Sequence, residues 1–159
     1  MGGRSIAVRR AGEADVQTVH EVLVAAFDPL RDQYTVPAFD ATVLDPKRVG
    51  ARLSEGPVWV AERQAKAVGT FGVRHDEGGC YLRGMGVVPA ARGLGVGRLL
   101  LDEAVGYVRI VGAPRTWLYT TPFLDAAIHL YESVGFARMV EDPAPDLFGT
   151  PLIGMELPT

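Results

Sequence analysis

Met85-Gly86-Val87-Val88-Pro89-Ala90-Ala91-Arg92-Gly93-Leu94-Gly95-Val96-Gly97-Arg98-Leu99-Leu100 is the stretch on which the reading of this chain turns. It closes a strand-like run, Cys80 to Val88, that Pro89 stops. It then opens a helix from Gly95 to about Val111, with Leu101, Ala104, Val105 and Val108 on one side. Between the two, Gly93, Gly95 and Gly97 remove the Cβ atoms at alternate positions, so backbone N–H groups can approach a ligand closely. At a helix start those N–H groups lack partners and the dipole is positive, which makes an anion site. The predicted ligand is a phosphate, in particular a diphosphate. A Walker A loop needs G-x-x-x-x-G-K-[ST], which the chain lacks. A dinucleotide fingerprint needs G-x-G-x-x-G early in the chain, whereas this G-x-G-x-G lies past the midpoint, after a hairpin. Taken alone, the loop also reads as a plain Gly-rich turn from strand to helix.

Outward from this loop, Val58–Ala61 and Val68–Val73 read as hairpin strands turning near Gln64 to Lys66, and Asp76-Glu77-Gly78-Gly79 marks the next turn. Upstream, Ile6–Arg9 is a short strand, and Gly12-Glu13-Ala14-Asp15 starts a helix carrying Val16, Val19, Leu23 and Phe27 on one face. Asp28-Pro29 ends that helix. Residues 28–46, with Pro29, Pro37 and Pro46, read as loop-like with room for a short helical turn, and Lys47 to Leu53 as a second helix. Downstream, Thr116–Thr120 is a strand and Asp125–Val134 a helix with Gly135 at C′. Phe136–Val140 and Leu152–Leu157 are closing strands around a Pro-rich loop. The expectation is an α/β (α+β) fold, one domain over residues 1–159. Its sheet is mixed and mostly antiparallel, with helices on both faces, in the order β-α-α-β-β-β-α-β-α-β-β.

Composition narrows the function. The 159 residues, 48% hydrophobic and 22% charged, suit one globular domain with a core of useful size. A net charge of −3 speaks against nucleic acid as the partner. The lone Cys80 cannot form an internal disulfide or a Cys-based metal site, and it reads as a small core residue. No apolar run approaches the roughly 20 residues of a membrane span, and no signal-peptide pattern is seen, so a cytoplasmic location is expected. His20-Glu21 begins an H-E-x-x-H pattern that fails at Val24, so no zinc site is expected. Trp59 and Trp117 lie in strand-like runs as packing residues.

Together with Ala126-Ala127-Ile128-His129-Leu130-Tyr131-Glu132-Ser133-Val134-Gly135-Phe136, the glycine stretch resembles the GNAT (Gcn5-related) N-acetyltransferase family. The first segment is similar to its R/Q-x-x-G-x-G/A coenzyme A signature, entered from a strand ending V-x-P. The second is similar to its A-x-x-L-Y-x-x-x-G-F helix. The close matches cover about residues 80–136, and the flanking elements fall in the family's order.

The resemblance implies an acetyl-CoA-dependent N-acetyltransferase in which an amine attacks the acetyl carbonyl directly, within a ternary complex. It implies that Val87 and Val88 hold the pantetheine arm in a gap between splayed strands. It also implies that Arg92, Gly93, Leu94, Gly95, Val96, Gly97 and Arg98 cradle the diphosphate; Arg83 and Arg115 could assist the phosphates or equally belong to a solvated face. Tyr131 matches the tyrosine that protonates the departing thiolate; packing with Ala127 and Val134 is its alternative role. Holding a lysine-like amine neutral near pH 7.4 costs about 4 kcal/mol, so a base is needed. The family's usual glutamate positions read Tyr81 and Tyr119, which leaves His75, Asp76, Glu77 and His129 as weaker candidates. Loops 28–46 and 141–150 collect Asp28, Asp32, Asp40, Asp45, Glu141, Asp142 and Asp146, which would suit a cationic amine or simply reflect turns and caps. The expected partner is a small-molecule or peptide amine, for a monomer or homodimer. A non-catalytic acyl-CoA-binding regulatory module and a transferase for another acyl group are the alternatives.

Overall fold

A computed structural model describes residues 5–158. Seven strands form one sheet: β1 (Ile6–Arg10), β2 (Val58–Arg63), β3 (Lys66–Asp76), β4 (Gly79–Val87), β5 (Thr116–Thr120), β6 (Ala137–Arg138) and β9 (Ile153–Leu157), in spatial order β1-β2-β3-β4-β5-β9-β6. Every neighbouring pair is antiparallel except β4 and β5. A parallel pair needs a long crossover, and α4 (Val96–Val111) supplies it. The mixed, mostly antiparallel sheet matches the expectation.

Strand β2 shows why the sheet is covered on both faces. Val58, Trp59, Val60 and Ala61 are all buried, and successive residues point to opposite sides. Trp59 and Ala61 join a core with Leu100, Leu101, Ala104 and Val108 of α4 and Ile128 and Tyr131 of α5 (Asp125–Ser133). Val58 and Val60 join a second core with Val19, Leu23 and Phe27 of α1 (Val16–Phe27) and Val49 of α3 (Pro46–Leu53).

The structure corrects two expectations. Residues 28–46 are largely helical: a 3-10 helix spans Asp28–Gln33 and α2 spans Val36–Thr42. Pro37 does not break α2 because it sits in the first turn, where a missing N–H removes no helical bond. The Thr35 hydroxyl caps α2 by accepting from the Ala38 N–H at 3.2 Å. The closing strand expected at Phe136–Val140 shrinks to Ala137–Arg138, with Val140 fully exposed. The following loop carries a short ribbon, β7 (Asp146–Leu147) with β8 (Thr150–Pro151). This ribbon docks on α2: the Thr35 N–H donates to Thr150 Oγ1 at 2.9 Å and the Thr35 hydroxyl to the Phe148 carbonyl at 2.8 Å.

The feature that positions the site is a parting of strands. β4 and β5 pair only from Cys80–Thr116 to Leu82–Leu118. Beyond that, β5 stays with β9 as far as Thr120–Ile153. β4 instead bulges against β3, with Thr70 opposite Gly86 and Gly72 opposite Arg83. Gly84 takes φ +77° within the bulge, and a Cβ there would lie 2.6 Å from an Arg52 guanidinium nitrogen. A gap therefore opens between Arg83–Val87 and Tyr119–Thr120.

Candidate active site

On the α4 and α5 side of the gap lies a groove of about 540 Å³, lined by Met85, Gly86 and Val87 of β4, by the glycine loop and by Ala127 and Leu130 of α5. Gly93 and Gly95 adopt φ +80° and +82°, and a Cβ at either would meet nothing within 4 Å. Glycine is needed here for the left-handed backbone, and the space in front of the loop is open. Gly97 differs: its Cβ would lie 3.1 Å from Leu130 Cδ2, so this glycine lets α4 approach α5. From Gly93 to Arg98 no backbone N–H donates to a backbone carbonyl; the neighbouring Arg92 and Leu99 N–H groups do, to Pro89 and Gly95. Six consecutive donors at the positive end of a 16-residue helix make a strong seat for an anion.

The remaining loop residues divide by role. Arg92 donates through Nη2 to the Ala26 carbonyl at 2.9 Å, which ties the loop to the end of α1. Arg98 lines the groove and makes an exposed i,i+4 ion pair with Asp102 at 3.0 Å. Val96 is buried and packs beneath the loop, while Leu94 is exposed between its flanking glycines. Val88 is not brought to the groove: its N–H donates to the Val68 carbonyl at 2.9 Å, and its side chain lies with Arg9, Thr18 and Glu62 elsewhere on the surface. Arg83 and Arg115 also lie away from the loop. Arg83 pairs with Glu55, and Arg115 lies over Trp117 and pairs with Glu156 at 3.3 Å.

A second cavity, about 230 Å³, adjoins the groove and shares Phe27, Met85 and Leu124 with it. Tyr131 reaches this cavity from α5. The residue is 5% exposed, and its ring meets Phe136 edge-on at 5.9 Å. Burial pushes its phenol well above the ordinary tyrosine range, with nearby Tyr81 adding to the effect, and no hydrogen bond opposes it. Tyr131 therefore stays protonated at neutral pH, and its hydroxyl, without a protein partner, belongs to a residue that lines this second cavity. Tyr81 and Tyr119 line the same cavity at a ring separation of 6.1 Å.

The weaker candidates for a base lie elsewhere. His75 contacts Tyr107 of α4, Asp76 pairs with Arg74, Glu77 sits in a turn and His129 is exposed on α5; none lines either cavity. Sequence reasoning counted Glu141 only among the acidic-loop residues and missed Arg52. Glu141, in the Pro-rich loop, accepts from the Tyr119 hydroxyl at 3.2 and 3.3 Å, so a carboxylate does reach the rim of the cavity. Arg52 of α3 lines the cavity directly. Neither belongs to a motif, and only tertiary proximity reveals them. The acidic loops do not color the cavity, because no Asp or Glu lines it. Asp28 pairs with Arg31, and Asp40 and Asp45 pair with Arg48, all on the surface.

Comparison with known proteins agrees with this geometry. The acetyltransferase (GNAT) family model matches residues 16–136. The uncharacterized N-acetyltransferase YjgM of Escherichia coli (strain K12) is 39% identical over 78 residues, 46% of this chain and 47% of that protein, so the match spans about half the length of this relative. Among solved structures, the PaiA N-acetyltransferase of Thermoplasma acidophilum in complex with coenzyme A superposes with TM-score 0.80 at 17% identity, covering 96% of this chain and 98% of that one. The ribosomal-protein-alanine N-acetyltransferase of Brucella melitensis gives TM-score 0.73 at 26% identity, covering 94% and 98%. Among the described residues, no helix is long and apolar enough to cross a membrane.

Proposed function

Because this chain belongs to the acetyltransferase (GNAT) family, we propose that it is an N-acetyltransferase taking acetyl-CoA as donor and a primary amine as acceptor, joined in one ternary complex. The observation that carries this reading is the continuity of the glycine-loop groove with a cavity holding the Tyr131 hydroxyl. The residues suit the donor: six N–H groups are left without backbone partners, the loop opens to free space at Gly93 and Gly95, and Val87 lines a strand edge that β5 has left unpaired.

When bound, acetyl-CoA supplies an activated acyl carbonyl and a thiolate leaving group. The chain's own residues supply the proton traffic. Tyr131, kept neutral by burial, holds a proton where a departing thiolate needs one. On the acceptor side, Tyr119 donates to Glu141, so its oxygen can take the ammonium proton while its own proton passes to the carboxylate. This pair fills the role left open by Tyr81 and Tyr119 at the usual glutamate positions. Arg92 acts as a positioning residue for the loop, through Ala26.

The test is thermal stability with acetyl-CoA, CoA and ADP, followed by CoA release over a panel of amines. A ligand at about 100 times its Kd adds roughly 2.7 kcal/mol, a rise of several degrees for a domain of this size. A rise with acetyl-CoA and CoA and little with ADP is expected; no rise would sink the site assignment. A rise without turnover of any amine would favor the non-catalytic acyl-CoA-binding module. Faster transfer from propionyl- or succinyl-CoA would reassign the acyl group.

A further inference from the structure

The acceptor-side cavity contains a charge that the protein itself leaves unanswered. Arg52 projects from α3 over Gly84 at the β4 bulge and lines the cavity with Tyr81, Tyr119 and Tyr131. No ion pair or hydrogen bond to its guanidinium is made among the described residues. Its only nearby carboxylate, Glu55, is taken by Arg83. Burial lowers its pKa to about 10, and the positive charge of Arg83 pushes the same way. Arg52 is half-buried, and a cation partly withdrawn from water without a counter-ion costs stability, so its persistence needs a reason. Arg83, held by Glu55, and Thr42, Thr120 and Thr121 also line the cavity, and Phe27, Tyr34, Leu124 and Leu147 form its apolar part.

We infer that the acceptor is a small amine bearing a carboxylate, held by Arg52, with an apolar remainder against Phe27, Tyr34 and Leu124. A free apolar α-amino acid fits this description. The planar guanidinium matches a carboxylate with two parallel hydrogen bonds, and about 230 Å³ leaves room for a small molecule of that kind. Anchoring the carboxylate at Arg52, beside the strand gap, holds the amine near the Tyr119 and Tyr131 hydroxyls. The inference rests on the acetyltransferase reading and narrows its acceptor.

The experiment pairs each amino acid with its decarboxylated amine: L-phenylalanine with phenethylamine, L-leucine with 3-methylbutylamine, and L-tryptophan with tryptamine. CoA release is followed in wild type, Arg52→Gln and Arg52→Lys. The amino acids are expected to exceed their amines by about 100-fold in kcat/KM, the scale of losing one partner of a buried charged pair. Arg52→Gln should erase that preference, chiefly by raising KM for the amino acids, while the acetyl-CoA-induced thermal rise is kept; Arg52→Lys should restore part of it. The apo variant should be no less stable than wild type, because it removes an uncompensated cation. Equal or better turnover of the plain amines by wild type would overturn the inference. So would failure of every pair while acetyl-CoA still raises the melting temperature. If acetyl-CoA gives no rise, the coenzyme reading fails instead. Binding of N-acetyl-L-phenylalanine to wild type but not to Arg52→Gln would then still support the carboxylate site, and equal binding would reject it.

Discussion

Replacing Gly95 by Asp and, separately, by Asn isolates the electrostatics of the proposed diphosphate seat. Gly95 has φ +82°, a conformation that costs most residues roughly 1–2 kcal/mol but that Asn and Asp adopt more readily than others. A Cβ at this position meets nothing within 4 Å, so neither side chain clashes in the free protein. Both variants should therefore fold with a similar, small loss in Tm of a few degrees. They differ in one charge, placed beside six free N–H groups. At a separation of about 4 Å and an effective dielectric of 20, a unit charge pair is worth about 4 kcal/mol. Against a bound diphosphate, Gly95→Asp should thus weaken CoA binding on the order of a thousandfold more than Gly95→Asn. Isothermal titration with CoA at fixed, moderate salt measures the difference, and raising the salt should shrink it. Equal affinities for the two variants, both near wild type, would refute the assignment of this loop to the diphosphate.

Tyr131→Phe should lower kcat by 10²–10⁴, the usual contribution of a positioned acid, with CoA affinity unchanged; full activity would reduce Tyr131 to a packing residue. Its folding stability should move little, because the hydroxyl has no protein partner to lose. Glu141→Gln should lower kcat/KM while the CoA-induced thermal rise persists; unaltered turnover would remove Glu141 from the proton path. Away from the site, Asp15 is held at a pKa of about 2, first by hydrogen bonds from Arg9 at 2.7 and 3.0 Å and then by the Gly12 N–H. Its folded pKa is depressed from 3.8, so its stabilization is present above that value and fades as pH falls toward 2. With Arg9 42% exposed, solvent screening limits this to about 1 kcal/mol. Asp15→Asn should accordingly lower Tm at pH 7 and make no difference near pH 2, as scanning calorimetry at the two pH values would show.

Much of the fold was legible because local periodicity and punctuation agree with tertiary demand. The unbroken Val58–Ala61 run signals a strand covered on both faces, and Gly95 and Gly112 stand at the two caps of α4. Pro37 was misleading, because a proline inside a first turn and one that breaks a helix look alike without the cap that Thr35 supplies. Val88 could not be placed from its sequence position alone, because its N–H continues the β3–β4 pairing to the Val68 carbonyl, which only the register of the two strands records.

The amino-acid sequence alone determined the glycine loop and the family resemblance, since spacing along one short segment carries both. Alternating glycines, a strand before and a helix after are enough to present free N–H groups at a helix start. The acceptor side was decided only in three dimensions. Arg52, Tyr81, Glu141 and Tyr131 come from α3, β4, the Pro-rich loop and α5. They converge because β4 bulges at Gly84 and parts from β5 after Leu82. Nothing in the neighborhood of each residue along the chain records that meeting. The charge of the cavity, positive where the nearby loops are acidic, follows from Asp40 and Asp45 pairing with Arg48 on the surface while Arg52 and Arg83 line the cavity.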